Sequence, residues 1–219
     1  MSTRSRRERE KLKRRNNIIE AAQKRFFEKG YDEVSMDEIA GDLELSKATL
    51  YLYFKNKQSL YFAVVIEGMV ILRDAFKIAV EKESTGLKKI LGIAQSFFEY
   101  MQLYSNYYLL NLSARGKRFA NMLNNNEIDN AEFYLGLTVE LLNLLKDAVS
   151  IGVEDGTLRK DLDPLQTTMF LGVAMEAAVQ VTPEYQILLQ QFGFTKEGYF
   201  QHSINVLLQG IAGKKEKYN

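Results

Sequence analysis

The stretch 35–57, "SMDEIAGDLELSKATLYLYFKNK", decides how this chain is read. It opens with Ser35 three residues before Glu38, the S-x-x-E pattern that caps a helix N-terminus. A short helix is expected from Met36 to about Leu43, with Ile39, Ala40 and Leu43 on one side. "ELS" reads as a tight turn. Ser46 then caps a helix of about two turns, Lys47 to Tyr53, and "FKN" ends it. Two short helices joined by a tight turn make a helix-turn-helix. In that motif the second helix enters the DNA major groove. Leu45, Leu50 and Phe54 are expected to face a small core. Lys47, Ala48, Thr49, Tyr51 and Tyr53 are left outward. Large aromatics presented to water mark a contact surface. Tyrosine suits phosphate and sugar, threonine a thymine methyl, and lysine a phosphate or a guanine edge. The competing reading is an ordinary amphipathic helix with no such role.

The flanks support the motif. From Arg9 to Lys29 the apolar positions Ile18, Ile19, Ala22 and Phe26 repeat at helical spacing, and Gly30 stands where a helix stops. Lys57 begins a long helix that runs to about Lys82. Gly41 lies inside the second helix, where glycine costs ~1 kcal/mol relative to alanine.

At this point the residues resemble a known family. "IIEAAQKRFFEKGYDEVSMDEIAGDLELSKATLYLYFKNKQSLYFAVV", residues 18–65, is similar to the DNA-binding domain of TetR-family transcriptional regulators. The shared pattern is I-x-x-A-x-x-x-F-x-x-K-G-Y, then S-M-D-E-I-A, then L-S-K-A-T-L-Y-x-Y-F-x-N-K-x-x-L. The resemblance implies an all-α fold. An N-terminal three-helix helix-turn-helix domain is joined through a long helix to a larger helical bundle, which dimerises by a four-helix bundle. It also implies DNA contacts at Ser35, Lys47, Ala48, Thr49, Tyr51, Tyr53 and Lys57, with Ser35, Tyr53 and Lys57 on phosphate. The family commonly has Ala-Gly in the turn. Here the pair is Leu43-Glu44, so a glutamate must take a left-handed backbone at some cost, and an acid sits near the DNA face. In this family basic N-terminal arms sometimes follow the minor groove. Arg4 to Arg15 is such a candidate, the alternative being a disordered arm that adds only non-specific affinity.

Charge agrees with a polyanion at one end. The net charge is +1, but residues 1–57 carry 14 Lys/Arg against 10 Asp/Glu, and the first 15 residues carry eight bases against two acids. The remainder is mildly acidic. The chain has no cysteine and one histidine, His202, so thiol chemistry is excluded and no metal site or cofactor is expected. No apolar run approaches the ~18 residues of a membrane span, and no signal peptide is read, so the expected compartment is the cytoplasm. No glycine-rich phosphate loop, nucleophile elbow or metal set is found, so the chain is not expected to be an enzyme. The acidic pair Glu154-Asp155 reads as a solvated turn.

Further along, helices are expected at about 57–82, 86–105, 106–123, 127–154, 164–181, 183–192 and 195–212. The expected domains are 1–56, the helix-turn-helix with its basic arm, and 57–213, a ligand-binding and dimerisation domain, followed by a tail at 214–219. Aromatics and methionines concentrate in 97–134, with five tyrosines between residues 100 and 134. Tyrosine needs a partner for its hydroxyl when buried, and methionine lines adaptable pockets. An apolar cavity with a few hydroxyls is expected, lined by Phe97, Tyr100, Met101, Tyr104, Tyr108, Phe119, Met122, Tyr134, Met169 and Glu176, for a hydrophobic or aromatic ligand. The alternative for each is plain core. Glu176 is read either as a partner for a cationic ligand or for Arg115, or as a dimer-interface residue. The helices at 164–181 and 195–212 are apolar on several faces, which a second copy would cover. The expected function is a homodimeric, sequence-specific regulator, a repressor released from a near-palindromic DNA operator by a small-molecule effector. The alternatives are a DNA-binding regulator with no small-molecule switch, and an activator.

Overall fold

A computed structural model of the chain describes residues 3–125 and 127–213, with side chains from Arg6 onward. The tail expected at 214–219 lies outside them. Among the described residues there are eleven helices, and the only β pairing is the isolated bridge Leu158–Ala212. The all-α expectation holds. No described helix is long and apolar enough to cross a membrane.

The helices fall in two compact units. The first takes the chain up to Val70 together with Tyr104–Leu137. It contains α1 (Thr3–Lys29), α2 (Met36–Asp42), α3 (Lys47–Tyr51), the start of α4 (Lys57–Lys82), α6 (Ser105–Ala114), α7 (Lys117–Asn124) and the start of α8 (Ala131–Asp155). The second takes Ile71–Leu103 and Thr138 onward. It contains the rest of α4 and α8, α5 (Gly86–Leu103), α9 (Pro164–Val179), α10 (Pro183–Gln191) and α11 (Lys196–Ile211). The boundary expected at residue 56 therefore falls inside the first unit.

The reason is an aromatic cluster that joins distant segments. Phe119 of α7 meets Tyr31, Tyr61 and Phe62 at ring-centre distances of 5.1, 5.6 and 5.4 Å. Phe62 also meets Tyr134 edge-on at 4.9 Å. Such ring pairs add about 0.5–1.5 kcal/mol each beyond area burial. Tyr61 donates to the Leu110 carbonyl at 2.7 Å, and burial pushes its phenol up to about 12.

Local rules explain most helix ends. Gly30 closes α1 with φ of 73°, and Ser35, Ser46, Asp163, Thr182 and Thr195 cap the helices they precede. One expected helix, 106–123, is two. Arg115 ends α6, and Gly116 takes an extended ψ of 159° to start α7. The loop before α8 is longer than expected, because Asn130 adopts φ of 64°.

In the second unit, α5 begins against the end of α8. Asp155 accepts from the Gly86 amide at 2.8 Å, and Thr157 accepts from the Leu87 amide at 3.2 Å. Asp155 also accepts from the Thr157 hydroxyl at 2.6 Å. It is a structural clamp, not the solvated turn residue expected. Burial opposes its charge, but hydrogen bonds from Thr157 and Gly86 outweigh it and hold the carboxyl below its usual range. Phe200 of α11 is buried and stacks on Phe98 of α5 at 4.5 Å.

Candidate nucleic-acid interface

Three helices hold the interface. On α1, Ile18, Ile19, Ala22 and Phe26 form the buried stripe. Ile39 and Ala40 of α2 and Leu50 of α3 are buried with them, and Phe54 closes the cluster. Leu45 is only half-buried. Arg25 of α1 grips Asp42 of α2 with two bonds, at 2.6 and 2.5 Å. The paired guanidinium holds Asp42 below the usual carboxylate range, and the carboxylate raises Arg25 above its own.

The turn has the predicted cost. Glu44 sits at φ of 54°, in the left-handed region. The amides of Leu43, Glu44 and Leu45 donate to carbonyls of α2, which holds the turn against the end of that helix.

Each residue expected to meet DNA can be located. Lys47 and Ala48 are exposed, and Tyr51 keeps 45% of its surface. Thr49 and Tyr53 are half-buried. The Thr49 hydroxyl lies 2.8 Å from that of the cap Ser46. The helix ends at Tyr51, two residues sooner than expected, and Leu52 is left 77% exposed beside it. Helical spacing gives Leu52 no outward role, so the sequence carries no signal for its exposure.

Besides Thr49, three of these residues are engaged within the protein. Lys47 pairs with Asp37 at 2.6 Å, and both side chains are largely exposed. Solvent screens a pair this exposed, so it holds Lys47 only weakly. Ser35 commits both its groups to Glu38, the amide at 2.8 Å and the hydroxyl at 3.0 Å. Lys57 lies 4.1 Å above the ring of Tyr31 and 3.5 Å from the Asp32 carbonyl. Partial burial lowers its ammonium below the usual range. Arg118 of α7 stands on the same ring and pairs with Asp32 at 2.5 Å. Arg118 carried no sequence signal, and Tyr31 stood in the quoted pattern without this role, since the two lie far apart in the chain.

The basic arm is a helix. α1 already runs at Thr3, and residues 6–14 are exposed along it. Arg15 anchors it, with its guanidinium 4.8 Å over Phe54, just past α3. An α-helix is ~10–12 Å wide and the B-DNA minor groove ~6 Å, so this arm cannot follow that groove while helical.

The residues expected to line a ligand cavity divide between the units. Tyr104, Tyr108, Phe119, Met122 and Tyr134 lie in the first, and Phe97, Tyr100, Met101, Met169 and Glu176 in the second. Phe119 and Tyr134 are core. Their rings pack in the cluster described above, and the Tyr134 hydroxyl donates to Asn111 at 3.1 Å. Met169 is half-exposed on α9. Tyr100 and Tyr108 are buried, and Tyr104 is exposed. Glu176 accepts from Gln180 at 3.2 Å.

Comparison with known proteins agrees with this geometry. Residues 18–64 match the family model described as bacterial regulatory proteins, tetR family. The HTH-type transcriptional activator FasR of Mycolicibacterium smegmatis is 30% identical over 97 residues, covering 44% of each chain. The chain thus spans less than half of FasR. The fatty acid metabolism regulator protein of Bacillus subtilis is 25% identical over 146 residues, covering 67% of this chain and 71% of that one. In structure, FadR of Bacillus subtilis in complex with stearoyl-CoA superposes with a TM-score of 0.68 at 19% identity, covering 89% of this chain and 98% of that one.

Proposed function

We propose that this TetR-family regulator is a homodimer that reads a near-palindromic operator and releases it when an apolar effector binds. The observation that carries the reading is the outward face of α3. A capped and clamped scaffold presents Lys47, Ala48 and Tyr51 to solvent. In a dimer the two α3 helices would sit about 34–36 Å apart, one turn of DNA. Ser35, Thr49, Tyr53 and Lys57 complete the contact surface. Phosphate would take Lys47 from Asp37 and Lys57 from Tyr31. The arm of α1 would add charge along the flanking backbone.

For the effector, a fatty acyl chain is the first candidate. The names of two similar proteins support that class, and so does a second unit rich in apolar side chains. Phe97, Tyr100 and Met101 of α5 and Glu176 of α9 are the proposed lining there. The helix α4 begins at Lys57 and carries residues of both units, so it is the proposed route of the response. An effector acts only by preferring one arrangement. A coupling of ~1–3 kcal/mol would change operator affinity 5- to 150-fold.

The test is selection from a random duplex pool, repeated with Tyr51→Ala and Lys47→Ala. The expected result is a palindromic site for the wild type that is lost or relaxed in both variants. No enrichment by folded, dimeric protein would overturn the reading. Acyl-CoA is then titrated into the operator complex, and an unchanged affinity would remove the acyl effector alone. FasR is named an activator, so the sign of control is a second reading, decided by transcription from the selected site with and without the protein.

A further inference from the structure

The helix α10 has no buried residue. Tyr185, Ile187, Leu188, Phe192 and Phe194 are all exposed, with Phe192 at 73%. Yet the segment is sharply defined. Thr182 caps its start, with the Tyr185 amide donating to the Thr182 hydroxyl at 3.4 Å, and Pro183 takes the first helical position. At its end Gly193 adopts φ of 78°, and the Phe194 amide reaches back to the Leu189 carbonyl at 2.8 Å. That six-residue closure is a Schellman motif, and it fixes Phe192 and Phe194 on either side of a rigid turn. A nine-residue helix with no buried side chain, half-covering only Gln186 and Leu189, is marginal in water. Its apolar face needs a partner.

The surroundings indicate which partner. From Pro164 to Thr195 the only charged residues are Glu176 and Glu184. A protein that is 26% charged overall thus keeps one segment with only two charges, both acidic, which leaves little to repel a second copy of itself. The face runs on through the chain from α9, where Leu165, Met169, Phe170 and Val173 are exposed. Those four, with Val206 of α11, offer at about 100 Å² each some 500 Å², short of the ~800 Å² per partner of a standard interface. The five side chains of α10 and its turn bring the total to about 1,000 Å² on the same scale.

We propose that α10 and the Phe192-Gly193-Phe194 turn form an arm that docks on a second copy of this chain, widening a dimer seam built on α9 and α11. This rests on the homodimer of the proposed function. Both arms would dock in the same way, as two-fold symmetry requires.

The test is sedimentation equilibrium of the full chain, comparing wild type, Phe192→Ser/Phe194→Ser, and Val173→Glu as a seam control. Far-UV circular dichroism verifies that each variant is folded. The expected result is a wild-type dimer whose dissociation constant rises at least tenfold in the arm variant. In hydrogen exchange, amides 185–194 should be protected at dimer concentrations and lose that protection on dilution. A dimer split by Val173→Glu but unmoved by the arm variant overturns the arm alone. Exchange of 185–194 that ignores dilution also overturns it. A wild-type monomer overturns the dimer reading and the arm with it.

Discussion

The phenol of Tyr107 on α6 donates to a carboxylate oxygen of Glu67 on α4 at 3.1 Å. The same phenol accepts from the Gln23 amide of α1 at 2.9 Å, and its ring meets Phe27 edge-on at 4.9 Å. One residue thus ties α4 to α1, the first helix of the helix-turn-helix unit. Gly68 makes room, since a Cβ there would lie 2.6 Å from that of Tyr107. Tyr107→Phe leaves two part-buried groups without their partner. A loss of roughly 1–2 kcal/mol is expected in urea denaturation, against near-neutrality for an exposed tyrosine.

Burial raises Glu67 above its usual carboxylate range, with the Tyr107 bond opposing. A carboxyl raised in the folded state binds its proton more readily there than in the unfolded chain. It therefore costs stability at neutral pH, and the cost disappears as pH falls below the ordinary value. Glu67→Gln should stabilise the protein at pH 7 and lose that advantage near pH 4, read as the difference between two pH–stability curves.

Glu38 behaves in the opposite sense. The Ser35 amide, then the Lys29 ammonium and the Ser35 hydroxyl, lower it from 4.5 to about 2. Its contribution is complete above 4.5 and is lost as pH falls toward 2. Asp42, held low by Arg25, adds to the same acid loss. Glu38→Gln should flatten this acid limb, measured by denaturation at pH 5, 4 and 3.

Glu44 bears a left-handed backbone that asparagine adopts more readily. Glu44→Asn should stabilise the protein by about 0.5–1 kcal/mol. It also removes an acid beside α3, so DNA affinity at low salt should rise. Unchanged stability would mean the turn relaxes without cost.

Gly86 admits no side chain, because a Cβ would overlap the backbone of Gly152. Gly86→Ala must separate α5 from α8, with a loss of about 1–3 kcal/mol or more. Gly136→Ala on α8, with open space at its Cβ, is the control and should not destabilise.

The arm of α1 is tested by salt. Replacing Lys11, Lys13 and Arg14 with alanine should flatten the dependence of log affinity on log salt. The slope should fall by up to ~1 for each phosphate no longer neutralised, with base preference kept. A changed preference would mean that these residues read sequence.

Whatever neighbouring residues decide could be read along the chain. The Ser35–Glu38 capping box, the other helix caps, Gly30, the strained Glu44 and the alternation of inward Leu50 with outward Lys47 and Tyr51 depend on partners within about one helical turn. Those interactions have the same geometry in any fold, so spacing reveals them. Pairings between distant segments had no such signal. Arg118 meets Asp32 across 86 residues, and Gln23 meets Tyr107 across 84. The clustered aromatics of 97–134 read as a ligand cavity, yet the rings of Phe119 and Tyr134 pack in the core that joins α7 and α8 to the start of α4. Composition fixes how much apolar surface a segment must bury. It does not say against what, because that choice depends on how α4, α6 and α7 pack once the chain has folded.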